Sequence, residues 1–163
     1  MEDKERCLLV AVQLTSNEEE NDMIELEELV EAADGIVISS IIQNRHSIDN
    51  RYYVGQGKVE EIAAYVKELE IDTIIFNDEL SGSQLRNIEE IVDCKVIDRT
   101  NLILDIFAKR ALTKEGQLQV ELAQLKYSLP RLIEINENLS RQGGGIGSKG
   151  PGEKKLETDR RRI

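Results

Sequence analysis

The sequence predicts an α/β fold: a four-stranded, mainly parallel sheet with helices on both faces, three layers in all, followed by a subdomain of long helices. Three observations predict it. Four short runs rich in Val and Ile are apolar on both sides, as strands buried between two helical layers must be. Helical patterns separate those runs. Beyond Thr100 the strand signal stops and leucines begin to recur at heptad spacing.

In order, Cys7–Leu14 is the first strand. Ser16-Asn17-Glu18-Glu19 forms a capping box with an acidic first turn, and Met23, Leu26, Val30 and Ala33 follow at helical spacing. Gly35–Ile42 is the second strand, and Val59, Ile62, Ala63, Val66 and Leu69 mark the second helix. Ile71–Phe76 is the third strand. Ser81 with Gln84 caps a third helix that carries Leu85, Ile88 and Val92, and Cys94–Ile97 is the fourth strand. The order βαβαβαβ implies right-handed crossovers.

Asn101–Ala111 is a helical run that Thr100 would cap, with a break expected at Leu112–Gly116. Leu118, Leu122, Leu125, Leu129, Leu132, Asn136 and Leu139 then form a seam with one polar member, which asks for a partner helix. Pro130 lies inside this helix and frees the carbonyl of Lys126, so a kink is expected. Six of the eleven glycines fall in Gly143-Gly144-Gly145-Ile146-Gly147-Ser148-Lys149-Gly150-Pro151-Gly152, after which helical composition resumes with Leu156 and Ile163 seven apart. These patterns divide the chain into a head, residues 1–99, and an antiparallel helical hairpin, residues 100–163, with its glycine-rich tip at 143–152 and its second arm cut short. They suggest a piece of a longer protein.

Composition excludes several classes. A chain of 163 residues buries roughly two-thirds of its unfolded surface, enough for its own core. Two cysteines, each inside an apolar run, make no secreted disulfide scaffold, and one histidine makes no zinc cluster. The acidic N-terminus and the six-residue apolar run Cys7 to Val12 are neither signal peptide nor membrane span, so a cytoplasmic protein is expected. The net charge of −11 hides a gradient, −15 over residues 1–97 and +4 over residues 98–163. The basic end is the one suited to phosphate.

Gly145, Gly147 and Gly150 match G-x-G-x-x-G, but the match follows a helix rather than a strand and therefore does not read as a dinucleotide site. The glycine run is either a tip that lets backbone approach RNA or a flexible linker. Residues 141–163 hold seven basic side chains against three acidic ones, which suits phosphate contact. Gly55, Gly57 and Lys58 could hold a phosphate at a helix start, or merely let the chain turn. Asn77, Asp78, Asp98, Arg99 and Thr100 should lie at the carboxyl ends of strands, where open α/β sheets bind ligands, although turn and cap roles explain them equally. His46 with Arg45, Arg51, Tyr52 and Tyr53 reads as surface decoration or a small basic contact. No catalytic residues are recognisable, and no metal site.

The run Gly143 to Arg162 resembles the signature of the HflX family of ribosome-associated GTPases. The stretches Tyr53–Glu61, Asp98–Phe107 and Gln119–Tyr127 are similar to that family's N-terminal domain. Ser148-Lys149 and Lys154-Lys155 stand where Thr-Arg and Thr-Gln are usual, and lysine lacks arginine's bidentate fork for phosphate. The resemblance implies an α/β subdomain, two long antiparallel helices, and a GTPase domain further downstream that would hold GTP and Mg2+. It implies binding to the large ribosomal subunit, with the tip at rRNA near the peptidyl-transferase centre, in ribosome splitting, rescue or biogenesis. The RNA-facing residues would be Arg141, Gln142, Gly143, Gly144, Gly145, Ile146, Gly147, Ser148, Lys149, Gly150, Lys154, Lys155, Arg160, Arg161 and Arg162. The alternatives are a nucleotide-binding α/β domain and a coiled-coil interaction module. A seam left unpaired would also let the chain associate with itself through Leu118, Leu122, Leu125, Leu129 and Leu132.

Overall fold

The structure is a computed structural model that describes residues 4–16 and 23–143, with side chains as far as residue 134. Its elements run β1 (Glu5–Leu14), α1 (Met23–Ala32), β2 (Gly35–Arg45), α2 (Gln56–Glu68), β3 (Thr73–Phe76), α3 (Gly82–Val92), β4 (Lys95–Asp98), α4 (Arg99–Arg110) and α5 (Lys114–Gly143). All strand pairs are parallel, in the order β2-β1-β3-β4. The expected fourfold parallel sheet is present.

β1 is central and is buried from Cys7 to Val12, which is why that run has no polar alternation. Its side chains divide between two cores with period two. Leu8, Val10 and Val12 join Ile74, Phe76 and Val96 beneath α2 and α3, while Cys7, Leu9 and Ala11 join Ile75 and Ile97 beneath α1 and α4. Leu102 and Ile106 of α4 belong to the second core, so α4 packs on the sheet together with α1. α5 then packs against both α3 and α4. Because those two helices lie on opposite faces, α5 runs past the open edge of β4, with a gap lined by Lys95, Ile97, Gln124 and Tyr127 left between them.

Helix starts follow local chemistry. At α3 the Ser81 Oγ accepts from the Gln84 N–H at 3.1 Å and the Gln84 side chain accepts from the Ser81 N–H at 3.0 Å, the reciprocal box expected from the sequence. Asp93 ends that helix in the left-handed region, φ 54°. At α4 the cap is Asp98, not Thr100: its Oδ1 accepts from the Asn101 N–H at 3.0 Å, and Thr100 lies inside the first turn. The break before α5 shrinks to Ala111–Thr113, because the Thr113 hydroxyl accepts from the Gly116 N–H at 2.9 Å and so starts the helix before the glycine. α5 continues through Pro130. The capping box expected at residues 16–19 falls largely outside the described residues.

Removing the Ser81 hydroxyl leaves the Gln84 N–H without its cap. Ser81→Ala is expected to cost about 1 kcal/mol in urea unfolding followed by circular dichroism, and Ser81→Asp to restore most of it.

Candidate functional site

In this sheet the strand order reverses between β1 and β3. Open α/β sheets bind ligands at such a reversal, just beyond the carboxyl ends of the strands. Here two other parts of the chain bind groups at the strand ends, Tyr53 after β3 and Tyr127 at the end of β4.

The first is the β2–α2 loop. Asp49 Oδ1 accepts from the N–H groups of Arg51 at 2.7 Å and Tyr52 at 2.8 Å, and the backbones of Asp49 and Tyr53 bond each other in both directions. This tight turn puts Tyr53 at φ 67° and drives both tyrosine rings inward, leaving Tyr52 8% and Tyr53 7% exposed. Tyr53 meets Phe76 edge to face at 5.9 Å and donates its hydroxyl to Asp78. Reading this loop as surface decoration is thereby corrected for Tyr52 and Tyr53. His46 and Arg51 do remain exposed, His46 with its Nδ1 2.9 Å from the Thr15 hydroxyl.

The second is α5, which docks on a fully buried carboxylate. Asp98, 0% exposed, takes the Leu80 N–H at 3.0 Å on Oδ2 and the Asn101 N–H at 3.0 Å on Oδ1, and the Tyr127 hydroxyl donates to Oδ2 as well. One turn on, Arg131 donates to the Leu80 carbonyl at 3.1 Å and stacks over the Tyr127 ring at 3.5 Å. Glu134 then accepts from the N–H groups of Gly82 and Ser83 at 3.1 and 3.4 Å and from the Ser83 hydroxyl at 2.8 Å, placing a negative charge at the start of α3. Gly82 makes the approach possible. A Cβ there would lie 2.9 Å from the Arg131 Cα and closer still to its carbonyl oxygen.

Burial raises the pKa of both phenols well above the ordinary tyrosine value, and their hydrogen bonds to Asp78 and Asp98 add to it. They act as donors with no acid-base role near neutral pH. Burial likewise pushes the Cys7 and Cys94 thiols up to about 11, so neither is a ready nucleophile. Arg99 spans Asn77 and Glu25, donating to the Asn77 Oδ1 at 3.0 Å. Of the strand-end residues marked in the sequence, Asp98 therefore holds α5, Asp78 holds Tyr53, and Asn77 and Arg99 bond each other. The docking residues Tyr127, Arg131 and Glu134 were not singled out. Their spacing of four and three, on the side of the helix opposite the leucine seam, was the available signal.

The phosphate candidates follow directly on the β2–α2 loop and have partners of their own. The Gly55 N–H donates to the Gln43 Oε1 at 2.9 Å, and Lys58 pairs with Glu61 at 3.0 Å. Of the RNA-facing set, Arg141, Gln142 and Gly143 fall in the last turn of α5, and residues 144–162 lie outside the described residues. A cavity of about 330 Å3 opens at the other end of the sheet, between Glu5, Thr73, Lys95 and α4. The sequence carries no G-x-x-x-x-G-K-S/T, N-K-x-D or D-x-x-G, and no cluster able to hold a metal occurs among the described residues. The residues present do not fit GTP with Mg2+. No helix among the described residues is long and apolar enough to cross a membrane.

Residues 20–108 match the family model of the GTP-binding GTPase N-terminal region, and residues 110–163 match that of the GTP-binding GTPase middle region. The chain belongs to the HflX GTPase family. It is 54% identical over 161 residues to the GTPase HflX of Caldanaerobacter subterraneus subsp. tengcongensis, covering 99% of this chain and 37% of that protein. It is 47% identical over 159 residues to the GTPase HflX of Escherichia coli, covering 98% and 37%. The chain thus spans 37% of the length of each of these HflX relatives. The solved structure of a GTP-binding protein from the archaeon Sulfolobus solfataricus, in complex with GDP, matches with a TM-score of 0.62 at 28% identity, over 96% of this chain and 46% of that one.

Two outcomes check the junction. In the unfolded chain tyrosines ionise near pH 10, whereas Tyr53 and Tyr127 keep their protons when folded. Their contribution is full below about pH 10 and declines as the pH rises past it. Tyr127→Phe is expected to lose about 1–3 kcal/mol in urea unfolding at neutral pH and to lessen that alkaline decline. Gly82→Ala is expected to lift α5 from α3 and to speed proteolysis within α5, with the sheet remaining protected.

Proposed function

We propose that this chain is the ribosome-binding part of an HflX-type GTPase, in which the α/β head serves as a mount for the long helix. The observation that carries this reading is the use of the strand ends as fasteners: Asp78 after β3 holds Tyr53, and Asp98 at the end of β4 holds Tyr127, with Arg131 on the Leu80 carbonyl. What the head holds firmly is α5. A 30-residue helix is about 45 Å long. Its end carries Arg141, Gln142 and Gly143 and leads to the glycine run and the basic residues through Arg162. Backbone N–H groups and cations of this kind suit the phosphates and 2′-hydroxyls of structured RNA, here rRNA of the large subunit near the peptidyl-transferase centre.

The division of labour follows: the head, with α4 packed on its sheet, orients, and α5 with the residues beyond it reaches. GTP hydrolysis, with GTP and Mg2+, is assigned to the part of the HflX relatives that this chain does not span, and the place of work is the cytoplasm, in ribosome splitting, rescue or biogenesis. A nucleotide site at Gly55, Gly57 and Lys58 has less support, because the Gly55 N–H and the Lys58 ammonium already have partners.

Co-sedimentation with large ribosomal subunits tests the reading. Deleting residues 143–152, or replacing Arg160, Arg161 and Arg162 by Ala, should weaken binding, the triple replacement by on the order of a hundredfold near 0.1 M salt if all three meet phosphate. Unchanged binding after both alterations would overturn it. Micromolar affinity of this chain for GTP or ATP by calorimetry would favour the nucleotide reading instead.

A further inference from the structure

The α5 junction leaves unused the cavity of about 330 Å3 at the amino ends of the strands, whose walls come entirely from residues 5–109. That volume lies at the lower end of what small ligands occupy, about 300–1,000 Å3. Its floor is apolar, made of the buried Cys7, Val30, Ile75, Ile97 and Leu102. Above the floor stand four charged side chains: Glu5 and Lys95, the first residues of β1 and β4, and Asp105 and Lys109 of α4. Two carboxylates and two ammoniums thus line one cavity, yet among the described residues no ion pair joins any two of them.

Each has been drawn elsewhere or left waiting. Asp105 and Lys109 are four apart on one helix and would ordinarily pair, but Lys109 reaches across to the Ala33 carbonyl just after α1, 3.2 Å away. Glu5 takes the Thr73 hydroxyl. Among the described residues Asp105 has only the Gln124 side-chain amide at 3.4 Å, and burial raises its pKa in spite of both lysines. The Lys95 ammonium has no hydrogen-bond partner among them. An anion and a cation are therefore held apart over apolar surface.

We propose that this cavity binds a small zwitterion, a free α-amino acid with an aliphatic side chain, its ammonium on Asp105, its carboxylate on Lys95 and its side chain over Ile75, Ile97 and Leu102. The charge set selects this class. A nucleotide or other polyanion would bring like charge to Glu5 and Asp105, and a polyamine would bring it to Lys95 and Lys109. Glycine has both charges but would leave the apolar floor bare. Lys95, Ile97 and Asp105 also line the gap beside α5, so an occupant sits within reach of the Gln124 contact that α5 makes. The site stands apart from ribosome binding and does not rest on it.

Isothermal titration calorimetry of the 163-residue chain with L-leucine tests the inference. Three analogues each lack one feature: leucinamide the carboxylate, isocaproate the ammonium, and glycine the apolar body. Leucine is expected to saturate a single site within about 10 mM, and each analogue to bind about tenfold or more weakly. In methyl NMR spectra leucine should shift Ile75, Ile97 and Leu102 and leave Ile62 and Ile88, which belong to the other core, in place. Asp105→Asn and Lys95→Met should each weaken leucine by about tenfold or more. Ala108→Phe, which fills the cavity from an exposed position in its wall, should abolish binding with the circular dichroism unchanged. Failure of leucine to saturate overturns the inference, as do analogues that bind as tightly as leucine. Binding indifferent to both Asp105→Asn and Ala108→Phe, or methyl shifts confined to the other core, overturns it too. So does a full-length HflX-type protein containing this chain that leaves leucine unbound while the chain alone takes it up.

Discussion

The arrangement depends on one buried carboxylate. Asp98 ends β4, caps α4, holds the backbone just ahead of α3 through the Leu80 N–H, and receives α5 through Tyr127. Four elements thus meet on two oxygen atoms shielded from solvent. In such a low-dielectric place each hydrogen bond to a carboxylate is worth about 1.5–3 kcal/mol, and an unmet one costs on the same scale. The energy matters less than the geometry it enforces. α4 must start where β4 stops, and α5 must pass where Tyr127 can reach.

This node also gives the strand ends a different use. Parallel sheets leave a cleft beyond their carboxyl ends, and polar side chains placed there ordinarily meet a ligand. In this chain they meet other parts of the same chain. Asp78 takes the Tyr53 hydroxyl, Asn77 takes an Arg99 N–H, and Asp98 takes Tyr127. The architecture is shared with ligand-binding domains, while the groups that would recognise a ligand have become internal fasteners. Fold alone would have suggested a nucleotide site; the partners of these side chains argue for a scaffold.

Most of the head was legible in the sequence because its signals are local. A two-sided apolar run such as Cys7–Val12 suits little besides a central parallel strand, and Ser81 with Gln84 announces its own helix. Two features were not legible, for different reasons. Asp98 and Thr100 are both good caps, and the choice fell to Asp98 through Leu80 and Tyr127, which are distant in sequence. The turn at Asp49 hides Tyr52 and Tyr53, although a polar stretch with Arg45, His46 and Arg51 reads as surface. The candidate site fared unevenly: Asn77, Asp78 and Asp98 do lie at the carboxyl ends of strands, but their partners Tyr53 and Tyr127 are distant in sequence, and Tyr127 is masked by the stronger leucine pattern on the other face of α5.

The contact at Gly82 sets the precision with which the far end of α5 is aimed. From Arg131, which lies against Gly82, to Gly143 is about 18 Å of helix. Over that distance a tilt of about 10° moves the end by about 3 Å, the length of one hydrogen bond. Whatever meets the end of α5 at atomic contact therefore senses, through leverage, the space that one absent methyl group leaves at the other.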